Sequence, residues 1–274
     1  MMKLFNITIM VFLALFAAQS TFAEKGNRKI AVQSYSFRLF TYEELAPMMK
    51  SIGVQGLGCS GGMEISKKWP KVKFGPDMTD EQKAFVREIA KKYDLKFVSY
   101  GVVSPQKEEQ IERIAKFAKE MGINTVITES PEKLLPCWEK NCEKYGIRMA
   151  IHNHAKEVKN GYWNPEKVAK MIAPFKHIYA CADNGHWSRA QVKSLDGYNT
   201  LRGRLAVIHF KDQKEFGNPR NQPVVFGTGQ LNCKELLKAL DAQGYDDYFV
   251  IEYEANWENN LALVQRCAEF LKNN

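Results

Sequence analysis

The chain has 274 residues, with 39 Lys and Arg against 31 Asp and Glu, and 45% of it is hydrophobic. Its net charge of +8 is spread at helix-face spacings, apart from a cluster at Lys67, Lys68, Lys71 and Lys73. This reads as a solvated basic surface and argues against a nucleic-acid interface.

In chain order, Lys3 is followed by an apolar core from Ile7 to Ala18 and then by Thr21-Phe22-Ala23, the pattern of a secretory signal peptide cleaved after Ala23. Gln19, Ser20 and Thr21 break the apolar run, which makes it short for a membrane anchor of about 20 apolar residues. Residues 24–274 are then expected as one domain in a periplasm or outside the cell. Phosphorylated metabolites are scarce there, which points to an unphosphorylated substrate.

Eight short apolar runs come next, at Ile30–Ser34, Val54–Gly58, Leu95–Tyr100, Asn124–Thr128, Arg148–His152, His177–Ala182, Leu205–His209 and Tyr248–Glu252. Helical periodicity separates them, over 42–51, 79–93, 107–121, 132–144, 165–173, 189–201, 233–242 and 258–271. The helix over 107–121 is the clearest, with Ile111, Ile114, Ala115 and Ala118 on one stripe and Gly122 as its stop. Strand and helix alternating eight times predicts parallel βα units with right-handed crossovers, hence a single (β/α)8 barrel of ordinary length.

Two connections are long for such a barrel, 59–78 and 211–231. The first carries Gly61, Gly62, Trp69, Pro70 and Pro76, and reads either as a lid or sugar-stacking wall or as rigid surface; the second ends in Phe226-Gly227-Thr228-Gly229. The six cysteines, at 59, 137, 142, 181, 233 and 267, show no metal-ligand spacing, and mostly buried free thiols are expected, a disulfide being the alternative.

Chemistry concentrates at strand ends. Four of the five histidines, His152, His154, His186 and His209, lie just past apolar runs, and Asp183 and Glu252 end two such runs in the same way. In a parallel barrel these ends share one mouth. Imidazoles together with a carboxylate pair suit a divalent ion with open positions for substrate. Side chains able to move protons stand at the same mouth, His154 and Glu252 as candidate bases and His186 and Lys211 to orient hydroxyls or protonate a leaving oxygen. Trp187 and Trp257 offer stacking faces for a sugar or fill the rim. Glu129 and Glu157 are further carboxylates near the mouth, Glu129 being close enough to contact substrate.

The HNH of 152–154, the DNGHW of 183–187, the HFKD of 209–212, the GTG of 227–229 and the EYE of 252–254 together resemble the xylose isomerase-like TIM-barrel family, also called the sugar phosphate isomerase/epimerase or AP endonuclease 2 family. The resemblance spans the chain after residue 23. It implies Asp183, His209 and Glu252 as ligands to Mn2+, with Mg2+, Co2+ or Zn2+ as alternatives, and His186 as a substrate contact. His152 stands where many sugar epimerases have a glutamate ligand; it can bind the ion but cannot copy a paired-glutamate mechanism. The expectation is a metal-dependent sugar isomerase or epimerase acting on an unphosphorylated sugar or keto-sugar. The alternatives are a keto-sugar or 3-keto-glycoside lyase or hydratase and, outside catalysis, a sugar-binding barrel. DNA repair fits poorly, since a three-zinc cluster needs more ligands than the chain places at its strand ends.

Overall fold

The computed structural model describes residues 28–158, 161–220 and 222–274. The expected signal peptide lies outside the described residues. Eight parallel strands close into a barrel: β1 Ile30–Gln33, β2 Gly56–Cys59, β3 Lys96–Val103, β4 Thr125–Thr128, β5 Arg148–His152, β6 Ile178–Asp183, β7 Leu205–Phe210 and β8 Phe249–Ile251. Each pairs with its neighbour in sequence, and β8 closes the ring on β1 through Ala31 opposite Val250. Helices α1 Tyr42–Ser51, α2 Asp80–Tyr93, α3 Glu108–Glu120, α4 Leu135–Tyr145, α5 Pro165–Ile172, α6 Asn184–Arg189, α7 Ser194–Thr200, α8 Cys233–Ala242 and α9 Leu261–Asn273 make the connections. Among the described residues, no helix is long and apolar enough to cross a membrane.

Side-chain parity decides what reaches the mouth. Ala31, Ile127, Ala150, Cys181, Val207 and Val250 belong to one small apolar cluster, while their neighbours Val32, Val126, Ile151, Ala182, Ile208 and Ile251 belong to the large one shared with the helices. Successive strand residues face opposite ways, so the small cluster fills the barrel. The next inward position on each of these strands is two residues on: Gln33, Glu129, His152, Asp183, His209 and Glu252.

One expected helix is corrected, and the two long connections are ordered. The helix expected over 189–201 is two helices, because the Asp183 carboxylate accepts from the His186 amide at 2.8 Å and caps a helix that starts at Asn184. Gln191 then adopts a left-handed φ of 58° and turns the chain before α7. The connection over 59–78 is no lid: Met63, Ile65 and Phe74 are buried in the core and Trp69 packs edge-on against Phe85 of α2 at 4.8 Å. The connection over 211–231 holds a short antiparallel ladder of Asp212–Gln213 with Pro223–Val224.

That second connection hangs on one carboxylate. Asp212, buried, accepts from the backbone amides of Gly227 and Gly229 at 2.9 Å, of Leu231 at 3.2 Å and of Gln213 at 2.8 Å. A Cβ on Gly229 would stand 2.4 Å from Asp212 Oδ1, which accounts for the second glycine of the GTG motif. All six cysteines are free, five of them buried and Cys137 partly so.

Candidate metal centre and substrate cleft

His152, Asp183, His209 and Glu252 bring one ligand atom each to within 4.8 Å of one another, and all four residues are buried. His152 Nε2 lies 3.6 Å from Asp183 Oδ2, and His209 Nδ1 lies 3.9 Å from the same oxygen and 3.2 Å from Glu252 Oε2. Neither His152 Nε2 nor either ring nitrogen of His209 has a hydrogen-bond partner among the described residues. Buried polar atoms are normally satisfied. Nitrogens that face carboxylate oxygens without bonding to them have the arrangement of atoms that share a third partner. Two imidazoles and two carboxylates suit a first-row divalent ion.

Behind this set, Glu129 Oε1 meets His152 Nδ1 at 2.8 Å, which turns Nε2 toward Asp183. The spacing of the set is held by amides adjoining two of its members. Asn153 donates to the carbonyl of Asp183 at 2.9 Å and accepts from its amide at 2.8 Å, tying β5 to β6. Asn184 does the same with Lys211, donating to its carbonyl and accepting from its amide, both at 2.7 Å, and ties β6 to the end of β7.

Lys211 is the charge at the centre of the site. Its side chain is 1% exposed, and Nζ lies 2.9 Å from Asp183 Oδ2 and 2.8 Å from both Glu252 Oε2 and Glu254 Oε2. Burial opposes its charge, but the carboxylates of Asp183, Glu252 and Glu254 prevail and hold it an ammonium well above the usual lysine range. Burial likewise opposes ionisation of Asp183 and Glu252, yet Lys211 and the surrounding histidines keep both well below the usual carboxylate range. Gly185 makes room for this lysine: a Cβ there would come within 2.6 Å of Lys211 Cδ.

The histidines diverge. His152 is pushed up to about 9, since Asp183 and Glu129 outweigh its burial. Burial lowers His186 well below the usual range, with Lys211 and His152 adding to it, and burial and His152 lower His154. The His154 and His186 rings lie 3.9 Å apart at 32°, and both line a cleft of about 300 Å³ with Gln33, Tyr35, Ser60, Gly101, Val102, Ser104, Glu129, His152, Glu252 and Glu254.

The sequence-derived candidates thus separate. His152, His154, His186, Glu129 and Glu252 line the cleft, Asp183, His209 and Lys211 lie directly beneath it, and Trp257 stands at its rim, edge-on to Tyr35 at 5.6 Å. Trp187 is corrected: it is 1% exposed, packs edge-on against Tyr198 at 5.6 Å and occupies the space that Gly197 leaves, so it is a packing residue. Glu157 is exposed and outside the cleft lining. Gln33 and Glu254 were not singled out from sequence, although Gln33 falls on the inward parity of β1; Glu254 lies beyond the end of β8, and Tyr35 carried no signal.

The family model described as xylose isomerase-like TIM barrel matches residues 49–274, and the chain belongs to this family. No curated protein matches the chain. Among solved structures it is similar to an uncharacterised protein from Parabacteroides distasonis, with 26% identity, a TM-score of 0.73 and 89% of this chain and 98% of that one covered. It is also similar to an L-ribulose 3-epimerase, with 14% identity, a TM-score of 0.70 and 89% and 93% covered. The probable 3-DHS dehydratase AsbF from Bacillus anthracis, with 14% identity, a TM-score of 0.69 and 89% and 99% covered, shares the fold as well.

Proposed function

We propose that the protein is a metal-dependent sugar isomerase or epimerase that removes a proton next to a carbonyl of an unphosphorylated sugar or keto-sugar, outside the cytoplasm. The convergence of His152, Asp183, His209 and Glu252 at the floor of a polar cleft carries this reading. A divalent ion there, with Mn2+ favoured and Mg2+, Co2+ or Zn2+ as alternatives, supplies a Lewis acid that polarises the carbonyl. His154 is the base: it lines the cleft, its Nδ1 has no hydrogen-bond partner among the described residues, and its lowered pKa keeps it neutral near pH 7. Glu252, held ionised by Lys211, is the weaker proton acceptor of the two candidates. Lys211, whose ammonium faces three carboxylates, does not act as a base; its charge keeps Asp183 and Glu252 ionised. His186 is placed to orient a hydroxyl.

One observation favours a second reading, a lyase or hydratase on keto-sugars or 3-keto-glycosides. With His152 in the fourth ligand position, Glu252 is the one glutamate of the set, and no second glutamate ligand is available to return a proton to the opposite face of the same carbon. The adjacent His154 and His186 rings instead place a neutral base beside a neutral N–H donor, as assisted loss of a β-substituent requires. Both readings are tested by proton NMR in D2O of the Mn2+-loaded chain with free ketoses, 3-keto-sugars and 3-keto-glycosides. Deuterium incorporation that disappears in Glu252→Gln supports proton abstraction, and the product separates rearrangement from elimination. Absence of exchange with every sugar refutes both.

A further inference from the structure

The cleft has two unlike walls. The histidines and carboxylates of β5 to β8 form one; Gln33, Tyr35, Ser60, Gly101, Val102 and Ser104 form the other. Two side chains of this second wall are among the most exposed large apolar groups of the described residues, Tyr35 at 37% and Val102 at 36%. Single exposed apolar residues need no explanation, but apolar groups grouped beside a polar cleft mark a contact surface.

This surface is also fixed in place. Arg38 donates to the Tyr35 hydroxyl at 3.0 Å, and its guanidinium covers the face of the Trp257 ring at 4.0 Å. Trp257 in turn meets the Tyr35 ring edge-on. Among the described residues Arg38 has no carboxylate partner in an ion pair, so its contacts are the two rings. A planar guanidinium suits such stacking in a way an ammonium does not. The result is an aromatic platform at the rim, of which Tyr35 lines the cleft.

The lining of the cleft encloses about 300 Å³ and ends at Tyr35 and Val102, short of Trp257. A ligand longer than the lined cleft extends onto the rim. The geometry points to a second subsite, formed by Tyr35, Val102 and Trp257, that takes the outer ring of a glycoside, so the substrate is a keto-sugar still carrying its aglycone. This rests on the reading of the centre as a sugar-transforming site and narrows its substrate class. Tyrosine and tryptophan suit the role because they give a rigid apolar face with a polar edge.

The test compares 3-keto-cellobiose with methyl 3-keto-β-D-glucopyranoside, two rings against one, and adds saturation-transfer NMR with cellobiose, which needs no turnover. Tyr35→Ala and Trp257→Ala should lower the ratio of kcat/KM for the two-ring over the one-ring substrate by about tenfold, the loss of one aromatic contact. Transfer to the outer ring of cellobiose should fall with them. Tyr35→Phe, which keeps the ring and loses the bond from Arg38, should retain most of the ratio, and Arg38→Lys should lower it by loosening both rings. Equal losses for the two substrates, or no transfer to the outer ring in the wild type, overturn the subsite. Transfer that depends on Tyr35 without turnover of either substrate keeps the subsite and refutes the proposed reaction.

Discussion

Asp212→Asn tests the carboxylate that organises the connection after β7. Two backbone amides donate to each of its oxygens. Asparagine keeps one accepting oxygen and presents its own N–H groups to the other pair, so two charge-assisted bonds are lost. Hydrogen bonds to charged groups contribute roughly 1.5–3 kcal/mol each, which sets an upper figure of about 6 kcal/mol. Gly227 is exposed and Gly229 partly so. Water therefore satisfies part of what is lost, and the expected destabilisation is about 2–4 kcal/mol. Urea unfolding monitored by far-UV circular dichroism measures it as a lowered midpoint with an unchanged slope. Because Asp212 holds the chain beside Lys211 without facing the cleft, Mn2+ bound per chain should stay the same. A loss below about 1 kcal/mol, or a loss of bound ion, refutes this assignment.

Glu129→Gln should weaken Mn2+ affinity about 10- to 100-fold in calorimetric titration by releasing the His152 ring, with little effect on the thermal midpoint. Unchanged affinity would show that the ring is fixed by other means. Gly185→Ala places a methyl group against Lys211 and Gln213; it should cost about 1–3 kcal/mol of stability and lower kcat for proton exchange, and a fully active variant would contradict the proposed role of Lys211. Glu139 accepts from the amides of Lys176 and His177 at 2.9 and 3.0 Å and from the His177 ring. Burial opposes its charge, but these donors leave it below the usual carboxylate range. Its contribution is therefore complete above the unfolded value of about 4.3 and fades as pH falls through the lower folded value, so the wild-type advantage over Glu139→Gln in urea midpoints should shrink below about pH 4. An advantage that grows on acidification would reverse that sign.

The barrel was legible because its strands and helices differ in period, and the centre was legible because chemistry-bearing residues end the apolar runs. His152, Asp183, His209 and Glu252 each stand two residues beyond a side chain that fills the barrel. The same count reaches Gln33, whose residue type draws no notice alone, whereas Glu254 lies beyond the end of β8. Side chains beyond a strand's last residue are harder to place, because the strand's alternation no longer fixes their direction. Trp187 looked like a stacking face because it adjoins His186, yet the short helix capped by Asp183 turns it toward Tyr198. Asn153 and Asn184 were missed as clamps since an uncharged amide beside a ligand has no signature in sequence. Tyr35 owes its position to Arg38 and Trp257, which meet only through the closure of β8 on β1.

The amide clamps have a consequence for how such a protein changes over time. Asn153 and Asn184 join strand end to strand end directly, so the ends of β5, β6 and β7 that carry His152, Asp183 and His209 are tied to one another within the barrel and not through the surface segments that frame the cleft. Glu252 is held differently: the amide of Tyr253 beside it donates to Ser36 Oγ at 2.9 Å, in the turn that bears Tyr35, so replacement of that turn reaches one of the four residues. For the proposed enzyme, a change of sugar made at the rim therefore reaches the centre through Glu252 and leaves the three residues on the clamped strands where they are.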